Sequence, residues 1–272
     1  MKMTYKAHPL SFVMKLLVWI CAAATVGVFL MLVGYVLVRG VPYLSTSLFS
    51  LHGTTDNVSI LPSIINTLKM VGIALLIAAP LGICCAIYLV EYAKKGSKFV
   101  KAIRLTTQTL SGIPSIIYGI FGSMFFVTAL KWRLSLLSGA CTLAIMVLPV
   151  IITSAEEALK SVDDSYREGS FGLGAGKLRS AVSGILSGVI LAIGRIVGET
   201  AALVFTAGAL TKIAGLKDSG ATLAVHMYNL SNEGLHMNEA AAAAVVLLVT
   251  VMLLNAFASF AAKRIKKTSG EI

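Results

Sequence analysis

Arg195 and Glu199 stand four positions apart in LAIGRIVGETAALVF, residues 191–205, a stretch that otherwise reads as lipid-soluble. On a helix that spacing puts both on one face, where a guanidinium and a carboxylate can pair. A guanidinium that is not so occupied offers a fork of donors suited to an oxyanion. An ionised side chain at bilayer depth costs at least ~2.5 kcal/mol on insertion scales, so such residues mark function or a specific structural need. The residues alone leave two readings open: a structural ion pair joining helices, or a charged lining of a substrate route. Lys69 competes for the second role, although a lysine near a helix end also snorkels to the interface.

A second candidate lies in the most polar part of the chain, residues 155–180. Ser165 followed by Glu168 fits a capping box, in which each side chain closes the other's exposed backbone N–H, so a short helix is expected to start there. Tyr166, Ser170 and Leu173 would share one of its faces. Gly169, Gly172, Gly174 and Gly176 weaken it as a free helix by ~1 kcal/mol each. Such a helix needs a partner surface; the other reading is a flexible loop.

Several chemistries are excluded by spacing. GLGAGKLRS imitates a phosphate-binding loop, but Phe171 and Leu178 stand where glycine and Ser/Thr are required, and Lys177 breaks the dinucleotide pattern. No Ser/His/Asp set and no HExxH occurs. Cys21, Cys84, Cys85 and Cys141 all fall in apolar stretches without a CxxC pair, and His8, His52, His226 and His236 lack ligand spacing, so no metal, cofactor or disulfide is expected. The chain is not expected to be an enzyme. Energy for any transport must come from a gradient or from another subunit.

The elements that must position these residues are membrane helices. With 57% hydrophobic residues, 13% charged and a mean hydropathy of +0.88, the chain is not a water-soluble globule. Apolar stretches long enough to cross a bilayer, which takes ~20 helical residues, run from Lys15 to Val38, Pro62 to Val90, Ile113 to Leu130, Leu134 to Thr153, Ala181 to Leu210 and Ala240 to Ala262. The expected fold is therefore all-α and polytopic, with six transmembrane helices. Sixteen Lys and Arg residues fall in the N-terminal tail, alternate loops and the C-terminal tail, against five in the opposite loops, which places both termini in the cytoplasm. The same asymmetry accounts for most of the formal charge of +11, with anionic lipid as the partner of the basic loops and no nucleic acid required. A kink is expected at Pro80. A break or close packing is expected where Gly112, Pro114, Gly119 and Gly122 cluster.

At ~100° per residue, Gly184, Gly188, Ala192, Arg195, Glu199 and Ala202 fall within an arc of about 80°. The charges share their stripe with the smallest residues, which let helix backbones approach closely. This stripe is expected to face protein or a water-filled path, with Ile190, Ile193, Val197 and Val204 looking elsewhere.

APLGICCAIYLVEYA, LSGIPSIIYGIFG, SYREGSFGLGAGK and SGILSGVILAIGRIVGETAALVFTAG resemble the transmembrane permease subunits of binding-protein-dependent ABC importers, and within them the phosphate-specific PstA type. Together they cover most of residues 60 to 210, and Arg195 followed by GETA is the most specific part. The resemblance implies the type I (MetI-like) importer fold in the bacterial cytoplasmic membrane, importing inorganic phosphate. It implies as partners a second, PstC-like permease, a PstB-like ATPase dimer and an external PstS-like phosphate-binding protein. It makes the Ser165 helix the coupling helix that docks in the ATPase, with Ser165, Tyr166, Arg167, Glu168, Gly169 and Gly174 in the coupling loop and Arg195 and Glu199 on the substrate path. Gly169 and Ser170 stand where two alanines are usual. Between Lys177 and SGILSG the chain is about eight residues shorter than the family pattern, a loss of ~12 Å of helix. Residues 1–60 then form a cytoplasmic tail, first helix and outer loop, residues 61–265 the permease core containing the 155–180 loop, and residues 266–272 a tail. A permease for another oxyanion, a gradient-driven secondary transporter and a transport-defective paralogue are the alternatives.

Overall fold

Every regular element in the described residues is helical, as a lipid-compatible chain requires: with no water in the hydrocarbon, each backbone N–H must find its acceptor inside its own helix. The computed structural model describes residues 9–51, 58–94, 96–161 and 182–268. The helices are α1 (Pro9–Gly40), α2 (Leu61–Ile87), α3 (Lys98–Ser111), α4 (Ser115–Gly122), α5 (Leu136–Lys160), α6 (Val182–Gly198), α7 (Ala201–Thr206), α8 (Leu223–Glu233) and α9 (Met237–Thr268).

The core forms around α5, which packs against α2, α3, α4, α6 and α7. Leu143, Met146, Val147 and Ile151 of α5 meet Met70 and Ala74 of α2 and Ile196 and Val197 of α6, all buried. Lipid tails are as apolar as leucine, so what holds these helices together is close packing rather than escape from water. Gly188 of α6 shows the packing at work: a Cβ there would lie 2.6 Å from Ser154 Cβ of α5, so only glycine permits the approach. By contrast α1 is apolar all round and exposed along its length, touching α9 towards its Gly40 end.

Among the described residues four helices are long and apolar enough to cross a membrane, α1, α2, α5 and α9, and the pair α3 and α4 makes a fifth if taken as one bent span. The two remaining expectations are realised differently. The stretch from Ile113 becomes α4 plus a wider π-type turn over Ser123–Ala129, and α3 meets it at an angle of 102° across Gly112, Ile113 and Pro114. Pro114 cannot donate to the preceding turn and biases Ile113 away from helix, so the break falls where the sequence puts it. Pro80, in contrast, sits inside a continuous α2, which widens only later into a π-type turn at Tyr88–Tyr92.

The apolar stretch 181–210 is not one helix. It breaks after Gly198 and resumes at Ala201, giving α6 and the short α7. The polar segment expected from residue 155 also begins later, because α5 runs on to Lys160 with Ala155 and Leu159 buried against Ala86 and Ile185.

A candidate substrate path at a broken helix

Three sides of α6 are covered, by α5, α9 and α2. Ala192, Ile193, Ile196 and Val197 are consequently buried, including two residues, Ile193 and Val197, that the stripe model turned away from protein. The uncovered side is marked by Leu191, 61% exposed, and by Gly198. Arg195 lies half-buried at the border between the two sides.

The break decides what Glu199 does. Beyond Gly198 the helical ladder stops, and Glu199 Oε1 accepts the backbone N–H of Ala202 at 3.2 Å, closing the open first turn of α7. A carboxylate is also well placed at a helix start, where the backbone dipoles leave partial positive charge. Arg195 therefore receives no ion pair from Glu199, and among the described residues its guanidinium makes no salt bridge and no hydrogen bond. The i, i+4 pair that the spacing allows does not form, because its second member has left the helix.

Other elements close in around this part of α6 and α7. Tyr118 of α4 is buried, donates its hydroxyl to the Leu110 carbonyl at 2.8 Å and lies within the field of the Arg195 charge. Gly119 brings α4 directly against α7: a Cβ there would be 2.7 Å from Ala202 Cα. On the α9 side, the Asn255 amide approaches Gly194, with its Oδ1 buried and without a hydrogen-bond partner among the described residues. Sequence reasoning passed over Asn255, although a lone amide in an apolar span is a signal of the same kind as Arg195.

It also passed over Asn66, which is fully buried in α2. Its amide donates to the carbonyls of Lys212 at 2.8 Å and Ala221 at 3.1 Å, and its oxygen accepts the Ala214 N–H at 3.0 Å. Thr67 Oγ1 accepts the Leu223 N–H at 2.9 Å. These bonds pin the irregular chain of residues 208–222 that follows α7, whose buried positions, Ala214 and Ala221 among them, have no helix of their own to satisfy them. Lys69 joins the same group, donating to the Ala214 carbonyl at 2.9 Å, so it anchors this segment rather than lining a route or reaching for the interface. The segment in turn caps α5: the carbonyls of Asp218 and Leu216 accept the N–H groups of Leu136 and Leu137 at 3.0 and 2.9 Å.

The coupling-loop candidates Ser165, Tyr166, Arg167, Glu168, Gly169 and Gly174 lie outside the described residues.

Comparison with known proteins accords with this architecture. Residues 78–268 match the family model of the binding-protein-dependent transport system inner membrane component. The probable ABC transporter permease protein YqgI of Bacillus subtilis is 30% identical over 263 residues, covering 87% of this chain and 89% of that protein. The phosphate transport system permease protein PstA of Pasteurella multocida is 36% identical over 179 residues, covering 62% of this chain but only 63% of its own length. A chain of a bacterial alginate ABC transporter, crystallised with an alginate pentasaccharide-bound periplasmic protein, superposes with a TM-score of 0.68 at 16% identity, over 97% of this chain and 98% of that one. The all-helical, multi-pass bundle with its broken sixth helix is thus the scaffold of an importer permease, and the chain belongs to the inner membrane components of binding-protein-dependent transport systems.

Proposed function

We propose that this chain is one of two related permease subunits of an ATP-driven importer for inorganic phosphate. In this reading the chain crosses the membrane six times with both termini in the cytoplasm, and residues 61–265 form its core. A PstC-like permease completes the path, a PstB-like ATPase dimer hydrolyses ATP, and an external PstS-like protein delivers phosphate. The cytoplasmic segment after α5, with Ser165, Tyr166, Arg167, Glu168, Gly169 and Gly174, docks on the ATPase.

The observation that carries the reading is the Arg195 guanidinium, which no carboxylate among the described residues neutralises. A membrane-embedded charge without an internal counterion is offset by water or by an anion. Arg195 lies at the border of the side of α6 that α5, α9 and α2 leave uncovered, and a guanidinium there offers parallel donors whose geometry suits a phosphate better than a point charge would. The similarity to PstA supports phosphate as the anion.

The test is uptake of labelled phosphate by proteoliposomes holding this chain with its permease, ATPase and binding-protein partners. Uptake requiring ATP and the binding protein, and lost in Arg195→Ala, supports the reading. Uptake driven by an ion gradient without ATP would replace it with a secondary transporter.

A further inference from the structure

Glu156, near the end of α5 that leads towards residue 162, carries a side chain only 10% exposed. Its Oε1 receives two cations, Arg104 Nε of α3 at 2.6 Å and Lys160 Nζ of its own helix at 2.7 Å. The two contacts are not equivalent. Arg104 links separate elements, whereas Lys160 is an i, i+4 neighbour that stays beside Glu156 wherever α5 goes.

That difference sets the cost of opening. Removing the sole partner of a buried carboxylate leaves an uncompensated charge and is strongly unfavourable. Here Lys160 remains when Arg104 leaves, so the contact between α3 and α5 can part without stranding the charge. Arg104 itself is 39% exposed on its side chain and can rehydrate.

The elements on either side form a continuous mechanical route. Beyond Arg104, α3 turns at Gly112 to Pro114 into α4. Tyr118 of α4 reaches back to the Leu110 carbonyl, which ties the two arms of the bend together, and it lies within the field of the Arg195 charge. Gly119 of α4 rests on Ala202, three residues past Glu199.

We propose that Arg104 and Glu156 form a releasable latch that transmits movement at the end of α5, through α3 and α4, to the break beside Arg195. Lys160 holds the Glu156 charge while the latch is open. Both residues act as positioning residues. The latch rests on reading the chain as an ATP-driven permease but is independent of which substrate passes.

The test places a reporter at Gly198, where an added Cβ meets nothing within 4 Å. Gly198→Cys is introduced into a chain carrying Cys21→Ala, Cys84→Ala, Cys85→Ala and Cys141→Ala, assembled with its partner subunits. Labelling by a water-soluble methanethiosulfonate reagent is followed with and without ATP and vanadate. The nucleotide-dependent change in labelling rate should fall about tenfold in Glu156→Gln and in Arg104→Gln, and return in Arg104→Lys, which restores the charge. A purely structural pair would lower the yield of complex without removing the response from the complexes that assemble. An undiminished response in both neutral variants overturns the latch, as does a parent complex whose labelling ignores nucleotide. Phosphate uptake measured in parallel separates the two readings: a normal labelling response without phosphate uptake defeats the substrate assignment and leaves the latch standing.

Discussion

Glu199 lies four residues beyond Arg195, yet its carboxylate bonds to the Ala202 N–H at 3.2 Å and leaves the guanidinium without a carboxylate partner among the described residues. The two residues therefore have separable roles. Glu199→Gln keeps an acceptor for that N–H and should support near-normal uptake, whereas Glu199→Ala should cost about 1 kcal/mol, as loss of a helix-start acceptor does. Thermal unfolding of the purified chain in detergent, alongside uptake, distinguishes them. Equal damage from both substitutions would mean that the negative charge itself is needed.

Arg195→Ala should act on the substrate rather than on the fold. A hydrogen bond to a charged group contributes ~1.5–3 kcal/mol, so the phosphate concentration for half-maximal uptake should rise roughly ten- to a hundredfold. Arg195→Lys keeps the charge and loses the fork, and should fall between. Concentration curves in proteoliposomes give the answer; an unchanged half-saturation in Arg195→Ala would remove the residue from the path.

Asn66→Ala removes three hydrogen bonds at once and strands the buried Ala221 carbonyl and Ala214 N–H. With each unsatisfied buried group costing ~1–3 kcal/mol, destabilisation should reach several kcal/mol. Limited proteolysis should then cut within residues 208–222 before any helix is attacked. A variant as resistant as the parent would show that Lys69 and Thr67 suffice to hold the segment.

Two glycines should respond in opposite directions. Gly119→Ala sets a methyl group against the backbone of Ala202 and Ala201, where nothing can swing aside, and should cost ~1–3 kcal/mol. Gly72→Ala, inside α2 with no atom within 4 Å of the new Cβ, should stabilise by roughly 0.5–1 kcal/mol through reduced backbone freedom of the unfolded chain. Melting curves of the two variants in one detergent make the comparison.

His226 lies in α8, outside the membrane-spanning helices, and burial lowers its pKa from 6.5 to about 4. Its Nε2 is buried without a partner among the described residues. The unfolded chain takes up the proton first, so the stability tied to neutral His226 is complete above pH 6.5 and is lost as the pH falls towards about 4. Within that window the slope is ~1.4 kcal/mol per pH unit at most. His226→Leu should flatten this part of the stability profile; an unchanged profile would place the titration elsewhere.

The sequence made plain those features that depend on local chemistry. Apolar length located α1, α2, α5 and α9, and the Gly112 to Pro114 cluster announced the bend before α4. The stripe of small residues correctly put Gly188 and Ala192 against protein. The break at Glu199 was hidden because Gly198, Ala201 and Ala202 are all compatible with a continuing apolar helix. What interrupts it is tertiary: α4 resting on Ala202 and the segment anchored by Asn66. The reach of α5 to Lys160, which brings Glu156 to Arg104, was hidden for the same reason, since it depends on Ala155 and Leu159 being buried against Ala86 and Ile185.

The segment 208–222 has a bearing on how the chain is made. Its backbone groups bond to Asn66 and Lys69 of α2 and to the opening turn of α5. Those partners are synthesised earlier, so a ribosome delivering residues 208–222 meets a docking surface already in the bilayer. An isolated C-terminal fragment beginning at α6 would lack that surface and present unsatisfied backbone to the translocon. The order of the helices along the chain is thus also the order in which the membrane can accept them.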